Sequence, residues 1–399
     1  MKRREFIKST AALATAAAVI SPTPGQAAPS RPKVKQYRTL GKTNIAMSDI
    51  SFGAGKLPSS SMILRAMDRG INYFDTSPDY GESEDLIGKA LKRRKDREKY
   101  YIASKFCSPI AYPGHVRFGS SKKEYIEAVD GSLKRLGCDY LDVVFVHAIG
   151  SKKDYALDKR RMLDPRMFEA FAELKEKGKA NYLAVSSHGP HHMEKLMLAA
   201  VESGKFDIIM PAFNFMNFPR VPELIQKAKA NGVGVVAMKT LAGAKDSGVE
   251  LDPGVFEQAA FKWVLRHKEV DGLVITIKSV GDLDTFLPAS GEEYSARDQR
   301  ALDHYAARHG QDYCRTGCGD CEPDCAEGVQ IATILRQQMY FEDYGDEKRA
   351  MENYATLDRD ASACGDCGDA VCVSACPHGL DVVAKLQSAH RSLTFNPVA

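Results

Sequence analysis

Leu141-Asp142-Val143-Val144-Phe145-Val146-His147 reads as a buried strand: a short apolar run, rich in β-branched residues, that stops at a polar side chain. Similar runs occupy 48–53, 71–76, 100–104, 182–186, 206–211, 233–238 and 272–277. They recur at roughly the thirty-residue spacing of a strand–helix–strand unit, and the segments between them have helical period and charged faces. Eight strands alternating with helices predict an α/β fold built as a (β/α)8 TIM barrel. A doubly wound open sheet would want a Gly-x-Gly-x-x-Gly turn after its first strand. Phe52-Gly53-Ala54-Gly55-Lys56-Leu57-Pro58 lacks the third glycine and a helix beginning there.

Barrel chemistry gathers at the C-terminal ends of the strands, and four reactive side chains fall there. Asp75 and Tyr80 follow the second strand in Phe74-Asp75-Thr76-Ser77-Pro78-Asp79-Tyr80-Gly81, Lys105 ends the third and His147 the fourth. Carbonyl reduction needs a proton donor for oxygen while hydride reaches carbon, and an unperturbed phenol, with a pKa of about 10, is a weak acid. A nearby ammonium lowers that pKa, a carboxylate holds the ammonium, and a neutral imidazole orients the substrate oxygen. Each residue also has a structural alternative. Asp75 suits a cap for a helix starting near Glu82, Tyr80 a half-buried aromatic, Lys105 a surface strand end and His147 a packing histidine.

These stretches, with Glu84 to Leu91, Ser132-Leu133-Lys134-Arg135-Leu136-Gly137 and Asp139-Tyr140-Leu141-Asp142, resemble the aldo/keto reductase family in order from about residue 37 to 287. The resemblance implies a nicotinamide cofactor, NADP or NAD, across the barrel mouth. It also implies Tyr80 as proton donor, Asp75 and Lys105 as its tuners and His147 as substrate orienter. For the cofactor it points to Ser186 at the carboxamide, Phe213 stacked on the nicotinamide ring, and Lys278 with Ser279 at the adenosine phosphate. The chain departs from the family at Ser187, Met210 and Asp284, and a carboxylate at the last position repels a 2′-phosphate. Cys107 is expected to border the site and Cys138 to fill space. His188, His191 and His192 sit before an expected helix, where solvated side chains are the plainer expectation than a metal site.

With 55 Lys+Arg against 52 Asp+Glu, the net charge of +3 gives no global field for nucleic acid. The longest apolar run, residues 11–20, falls short of the ~20 residues of a membrane-spanning helix. It forms part of a leader: Lys2-Arg3-Arg4-Glu5-Phe6-Ile7-Lys8 is its positive end and Gly25-Gln26-Ala27 its cleavage signal. The paired arginines resemble a twin-arginine signal, which implies export of folded protein to the periplasm by the twin-arginine machinery; an ordinary secretory signal is the alternative.

Eight of the ten cysteines fall in two sets, Cys314-x3-Cys318-x2-Cys321-x3-Cys325 and Cys364-x2-Cys367-x4-Cys372-x3-Cys376-Pro377. Such spacings let thiolates wrap a polynuclear centre, and they resemble a two-cluster ferredoxin-like module. If ligation crosses over as that resemblance implies, Cys314, Cys318, Cys321 and Cys376 hold one [4Fe–4S] cluster, and Cys325, Cys364, Cys367 and Cys372 the other. Two all-cysteine zinc sites and disulfides are the alternatives. Helices are expected at 329–344 and 347–357, so this end should be a small, mainly helical domain.

The expected organisation is a twin-arginine signal at 1–27, a linker at 28–36, a reductase-like barrel at 37–309 and an iron–sulfur module at 310–399. The expected function is an exported oxidoreductase interconverting a small carbonyl compound and its alcohol. The clusters would be structural or exchange electrons with a redox partner protein. The competing class is an electron-transfer protein whose barrel is a scaffold without nicotinamide.

Overall fold

The computed structural model describes residues 31–110, 112–151, 153–216, 220–243 and 255–395. The leader expected at 1–27 and the start of the linker lie outside the described residues.

The chain enters through a hairpin, β1 (Tyr37–Thr39) against β2 (Ala46–Ser48), with Tyr37 opposite Ser48. Eight parallel strands then close a barrel in chain order. They are β3 (Ile50–Gly53), β4 (Tyr73–Asp75), β5 (Tyr101–Lys105), β6 (Leu141–Val146), β7 (Ala180–Ser187), β8 (Ile208–Pro211), β9 (Gly234–Ala237) and β10 (Gly272–Thr276). β10 closes the ring on β3, with Leu273 opposite Ile50 and Thr276 opposite Gly53.

All eight expected strands are present. The first run is divided at Asp49, whose buried carboxylate accepts from the Ile50 and Gly291 amides and from Ser290 Oγ, so Ser48 ends the hairpin and Ile50 starts the barrel. The hairpin itself was not expected. Its Leu40, Ile45 and Met47 pack into the barrel interior beside Tyr73, Phe145 and Val236.

Period-two alternation sorts the strand residues into two layers. Tyr73, Ala103, Phe145, Ala184, Ile208 and Val236 face the axis, while Phe74, Val144, Val185, Ile209 and Val235 face the surrounding helices. Those helices are α1 (Ser60–Asp68), α2 (Ser83–Arg94), α3 (Lys122–Leu136), α4 (Tyr155–Met162), α5 (Pro165–Glu176), α6 (Met193–Glu202), α7 (Val221–Ala230), α8 (Val255–Leu265), α9 (Val280–Phe286) and α10 (Ala296–His309). α3 shows how local sequence fixes an element. Ser121 and Glu124 form a reciprocal capping box at its start, and Gly137 ends it in the left-handed conformation.

Beyond α10 come α11 (Ile331–Glu342), α12 (Glu347–Ala355), the short α13 (Val371–Ser374) and α14 (Val382–Leu393). The two expected helices are present within shorter limits, and α14 is additional. This helical end has its own apolar cluster, including Ile334, Leu335, Tyr354, Leu386, Cys321 and Cys364. The first seven residues of α11, Ile331 to Gln337, are all buried. Among the described residues no helix is long and apolar enough to cross a membrane.

The hairpin turn depends on Gly41, which has a φ of 57°, and a Cβ there would stand 2.3 Å from the Gly234 amide nitrogen. Gly41→Ala is therefore expected to lower unfolding free energy by about 2–4 kcal/mol, read by urea denaturation. An unchanged midpoint would show that the hairpin floor contributes nothing to barrel stability.

Candidate active site at the mouth of the barrel

The interior alternation continues past the last apolar residue of each strand. Tyr73 is followed two residues on by Asp75, Ala103 by Lys105, Phe145 by His147 and Ala184 by Ser186. The fold thus aims these polar groups at one mouth.

Lys105 is 2% exposed and Asp75 5%, and their side chains form an ion pair of 2.7 Å. Lys105 Nζ also donates to the Thr76 carbonyl at 2.9 Å and stands 5.3 Å from the Tyr80 ring centre. Tyr80 Oη lies 3.4 Å from His147 Nε2. Asp75 is committed to Lys105, and α2 begins at Ser83 without a side-chain cap, so the capping alternative for Asp75 is not what the chain adopts.

Burial raises the Tyr80 phenol well above its ordinary value, and the carboxylates of Asp75 and Asp79 add to the rise. Burial and the charge of Lys105 hold His147 well below its ordinary value, so the imidazole is neutral near pH 7.

Asp79 was not singled out from sequence. Its carboxylate is buried, accepts from Ser77 Oγ and from the Gly114 amide, and lies 3.6 Å from His147 Nδ1. Cys107 Sγ is 3.3 Å from the same nitrogen. Asp79, Cys107 and His147 bring three ligand-type atoms within 4.8 Å of one another. A carboxylate facing Nδ1 favours the proton on that nitrogen, which leaves Nε2 to accept from the Tyr80 hydroxyl.

The roof comes from distant parts of the chain. Tyr112, in the loop after β5, has its ring 5.5 Å from that of His147 and its hydroxyl 3.1 Å from His188 Nε2. Arg349 of α12 lies 5.2 Å from the Tyr112 ring centre and 5.1 Å from that of Tyr340 on α11. Lys239, after β9, lies 4.8 Å from the Tyr340 ring centre. Burial works to raise the Tyr340 phenol, but Lys239, Arg336 and Arg349 outweigh it and bring it down to about 8.

The residues expected at a cofactor are placed unevenly. Ser186 is buried at the mouth, where its Oγ accepts from the Ala148 amide at 3.3 Å. Phe213 shares the parity of Ile209 and faces outward, its ring 5.1 Å from Trp263 and 5.0 Å from His267, so it is not at hand to stack on a ligand at the mouth. Lys278 and Ser279 are exposed at the rim, where Ser279 caps α9 through Asp282. Asp284 is turned to Arg69 at 2.8 Å.

The three histidines are not a solvated group. His191 is buried, 2.8 Å from Thr333 Oγ1 on α11, while His188 meets Tyr112 and His192 meets the Lys153 carbonyl. Alternation along the strands could have revealed the placement of Phe213. No local signal announces contacts made across long stretches of chain.

None of the ten cysteines forms a disulfide. Cys314, Cys318, Cys321 and Cys376 are close enough for each thiol charge to act on the others, and burial pushes Cys314 up to about 12. Cys364 and Cys372 are likewise grouped with Cys325 and Cys367.

Residues 57–256 match the aldo/keto reductase family, and the chain belongs to it. It is 29% identical over 233 residues to L-glyceraldehyde 3-phosphate reductase of Escherichia coli (strain K12), over 54% of this chain and 64% of that protein's length. It is 28% identical over 309 residues to L-galactose dehydrogenase of Arabidopsis thaliana, over 68% of this chain and 93% of that protein. The fold is similar to the holo form of an aldo-keto reductase from Bacillus halodurans, with a TM-score of 0.53 at 24% identity, covering 68% of this chain and 96% of that one. The family match ends before the eight C-terminal cysteines.

The buried histidines give a pH prediction with a definite sign. His147 and His188 are held well below their ordinary value by burial, and His191 at about 4. A depressed histidine contributes full stability above its unfolded value of about 6.5 and loses it as pH falls toward the folded value. The thermal midpoint should therefore fall steadily below about pH 6.5, and less steeply in His191→Gln. A midpoint flat from pH 7 to 5 would refute it.

Proposed function

We propose that the protein is an exported oxidoreductase that interconverts a small carbonyl compound and its alcohol with a nicotinamide cofactor, NADP or NAD, and carries two [4Fe–4S] clusters. The observation that carries the first part is the buried Asp75–Lys105 pair beside the Tyr80–His147 contact at one barrel mouth. When bound, the nicotinamide would supply hydride to the carbonyl carbon. Tyr80 Oη, kept protonated by its surroundings, gives its proton to the carbonyl oxygen. Lys105, held by Asp75, faces the phenolate that remains. His147 accepts from the Tyr80 hydroxyl through Nε2 and so positions the donor, while Asp79 fixes its ring. Ser186, Lys278 and Ser279 are the side chains offered to the cofactor; Phe213 is not. The carboxylate of Asp284, paired with Arg69, repels a phosphate near Lys278 less than a free one would.

The cluster reading rests on the cysteine grouping. The two sets follow the crossed arrangement, with Cys376 joining the first and Cys325 the second. Clusters built in the cytoplasm also fit an export route that accepts folded cargo, as the paired Arg3 and Arg4 suggest. The periplasm is the location this implies.

A second reading, a barrel scaffold without nicotinamide, draws on the outward Phe213 and on the helical end lying over the mouth. Tyr80→Phe separates the two. Carbonyl turnover should fall by at least about 10²-fold while the visible absorbance of the clusters is kept; unaltered turnover would sink the reductase reading. For the clusters, full-length protein purified anaerobically from the exported fraction should contain iron and sulfide. Cys314→Ser and Cys376→Ser should each perturb the same spin-resonance signal and Cys364→Ser the other. Zinc in place of iron, or protein confined to the cytoplasm, would overturn the respective parts.

A further inference from the structure

Three side chains meet behind the imidazole of His147, on the side away from Tyr80. Tyr80 stands at Nε2, while Cys107 Sγ is 3.3 Å and Asp79 Oδ2 3.6 Å from Nδ1. The three ligand-type atoms lie within 4.8 Å of one another, and all three residues are buried. Local structure holds them there. Cys107 follows β5 and pairs antiparallel with His115, between the Ser108 amide donating to the Gly114 carbonyl at 2.8 Å and the Val116 amide donating to the Phe106 carbonyl at 2.9 Å. The same pairing carries the Gly114 amide to Asp79 Oδ2 at 2.9 Å. Only glycine allows that approach, because a Cβ at this position would stand 2.6 Å from the Ser108 carbonyl oxygen and 3.0 Å from Asp79 Cβ.

Hydrogen bonding to the ring does not satisfy this arrangement. Nδ1 has either one proton or one lone pair, so it serves the thiol or the carboxylate and not both. A relay of nucleophile, base and carboxylate would set thiol and carboxylate on different ring nitrogens, whereas here they share one. The Asp79 carboxylate has hydrogen bonds from Ser77 and Gly114 but no counter-ion: among the described residues no Lys or Arg pairs with it, and the imidazole beside it is neutral. Lys105 and Arg161, whose charges reach Cys107, are committed to carboxylates of their own, Asp75 at 2.7 Å and Asp158 at 3.2 Å. A buried charge without a counter-ion is unfavourable, and a cation between the three atoms would meet all of them together.

We infer that Asp79, Cys107 and His147 Nδ1 form a binding site for a divalent transition metal, with zinc the ion that their chemistry fits. Zinc accepts thiolate, imidazole and carboxylate in one site. Bonds of about 2.3 Å to sulfur and about 2.0 Å to nitrogen and oxygen, in a tetrahedron, put the sulfur roughly 3.5 Å and the oxygen roughly 3.3 Å from the imidazole nitrogen. The distances of 3.3 and 3.6 Å in this chain lie within a few tenths of an ångström of those values. The charges also close, since a divalent ion, one thiolate and one carboxylate sum to zero. Binding sends the thiol proton to solvent and moves the imidazole proton from Nδ1 to Nε2, so His147 turns from acceptor to donor at the mouth. The inference stands on these three side chains and not on carbonyl turnover or the clusters, so it can fail while they stand.

The test uses full-length protein purified anaerobically, dialysed against EDTA and then given zinc sulfate, with iron and sulfide measured throughout. One zinc per chain should survive gel filtration, and its X-ray absorption should report one sulfur at about 2.3 Å with nitrogen and oxygen neighbours at about 2.0 Å. Cys107→Ser and Asp79→Asn should each weaken zinc binding at least about tenfold in competition with a chromogenic chelator, with retained iron and sulfide and a cooperative thermal transition showing that each variant is folded. Zinc should also raise the thermal midpoint of the wild type more than that of either variant. If the cysteine sets hold zinc in place of clusters, that zinc has four sulfur neighbours and survives both substitutions, so the two cases separate. No mixed-ligand zinc in the wild type, or zinc that both variants hold as tightly, would overturn the site.

Discussion

Closing eight parallel strands into a ring removes every free edge and leaves each strand one choice, which of its alternate side chains face the axis. That choice reaches beyond the hydrogen-bonded residues. Asp75, Lys105, His147 and Ser186 each stand two places after an axis-facing residue, so packing the barrel interior also assembles the mouth. The same rule turns Phe213 outward with Ile209, toward Trp263. The geometry of the mouth is a by-product of filling the barrel.

The charged side chains at this mouth are buried, so each needs an answer nearby. Lys105 has Asp75 at 2.7 Å, and Asp79 has the Ser77 hydroxyl and the Gly114 amide. With these met locally, burial dominates what remains: it drives the Tyr80 phenol up and the His147 imidazole down, and both are neutral in the resting chain. Neutral partners at the reacting position suit proton transfer better than a standing ion pair, whose charges would have to be separated.

Much of this was legible in the sequence because it is local. Eight apolar runs with polar endings carry a period that one stretch of chain displays by itself, and Asp75, Tyr80, Lys105 and His147 came with them. The hairpin was not legible, because three-residue strands such as Tyr37–Thr39 are too short to show a period. Nor was the burial of His191, which depends on Thr333, 142 residues further on. Asp79 has a local signal in Ser77, two residues before it, but its contacts with Gly114 and His147 lie far along the chain.

The helical end touches the barrel rim around its circumference. Lys56, after β3, pairs with Asp346 at 2.7 Å; Tyr112, after β5, lies under Arg349; His191, after β7, meets Thr333; and Lys239, after β9, lies against Tyr340 and Tyr344. A cover fixed at several points around a circle has no hinge edge, and lifting it means breaking contacts on opposite sides together. Exchange of anything held beneath it is then governed by the rarity of that joint event, and long residence times follow from the architecture even where individual contacts are weak.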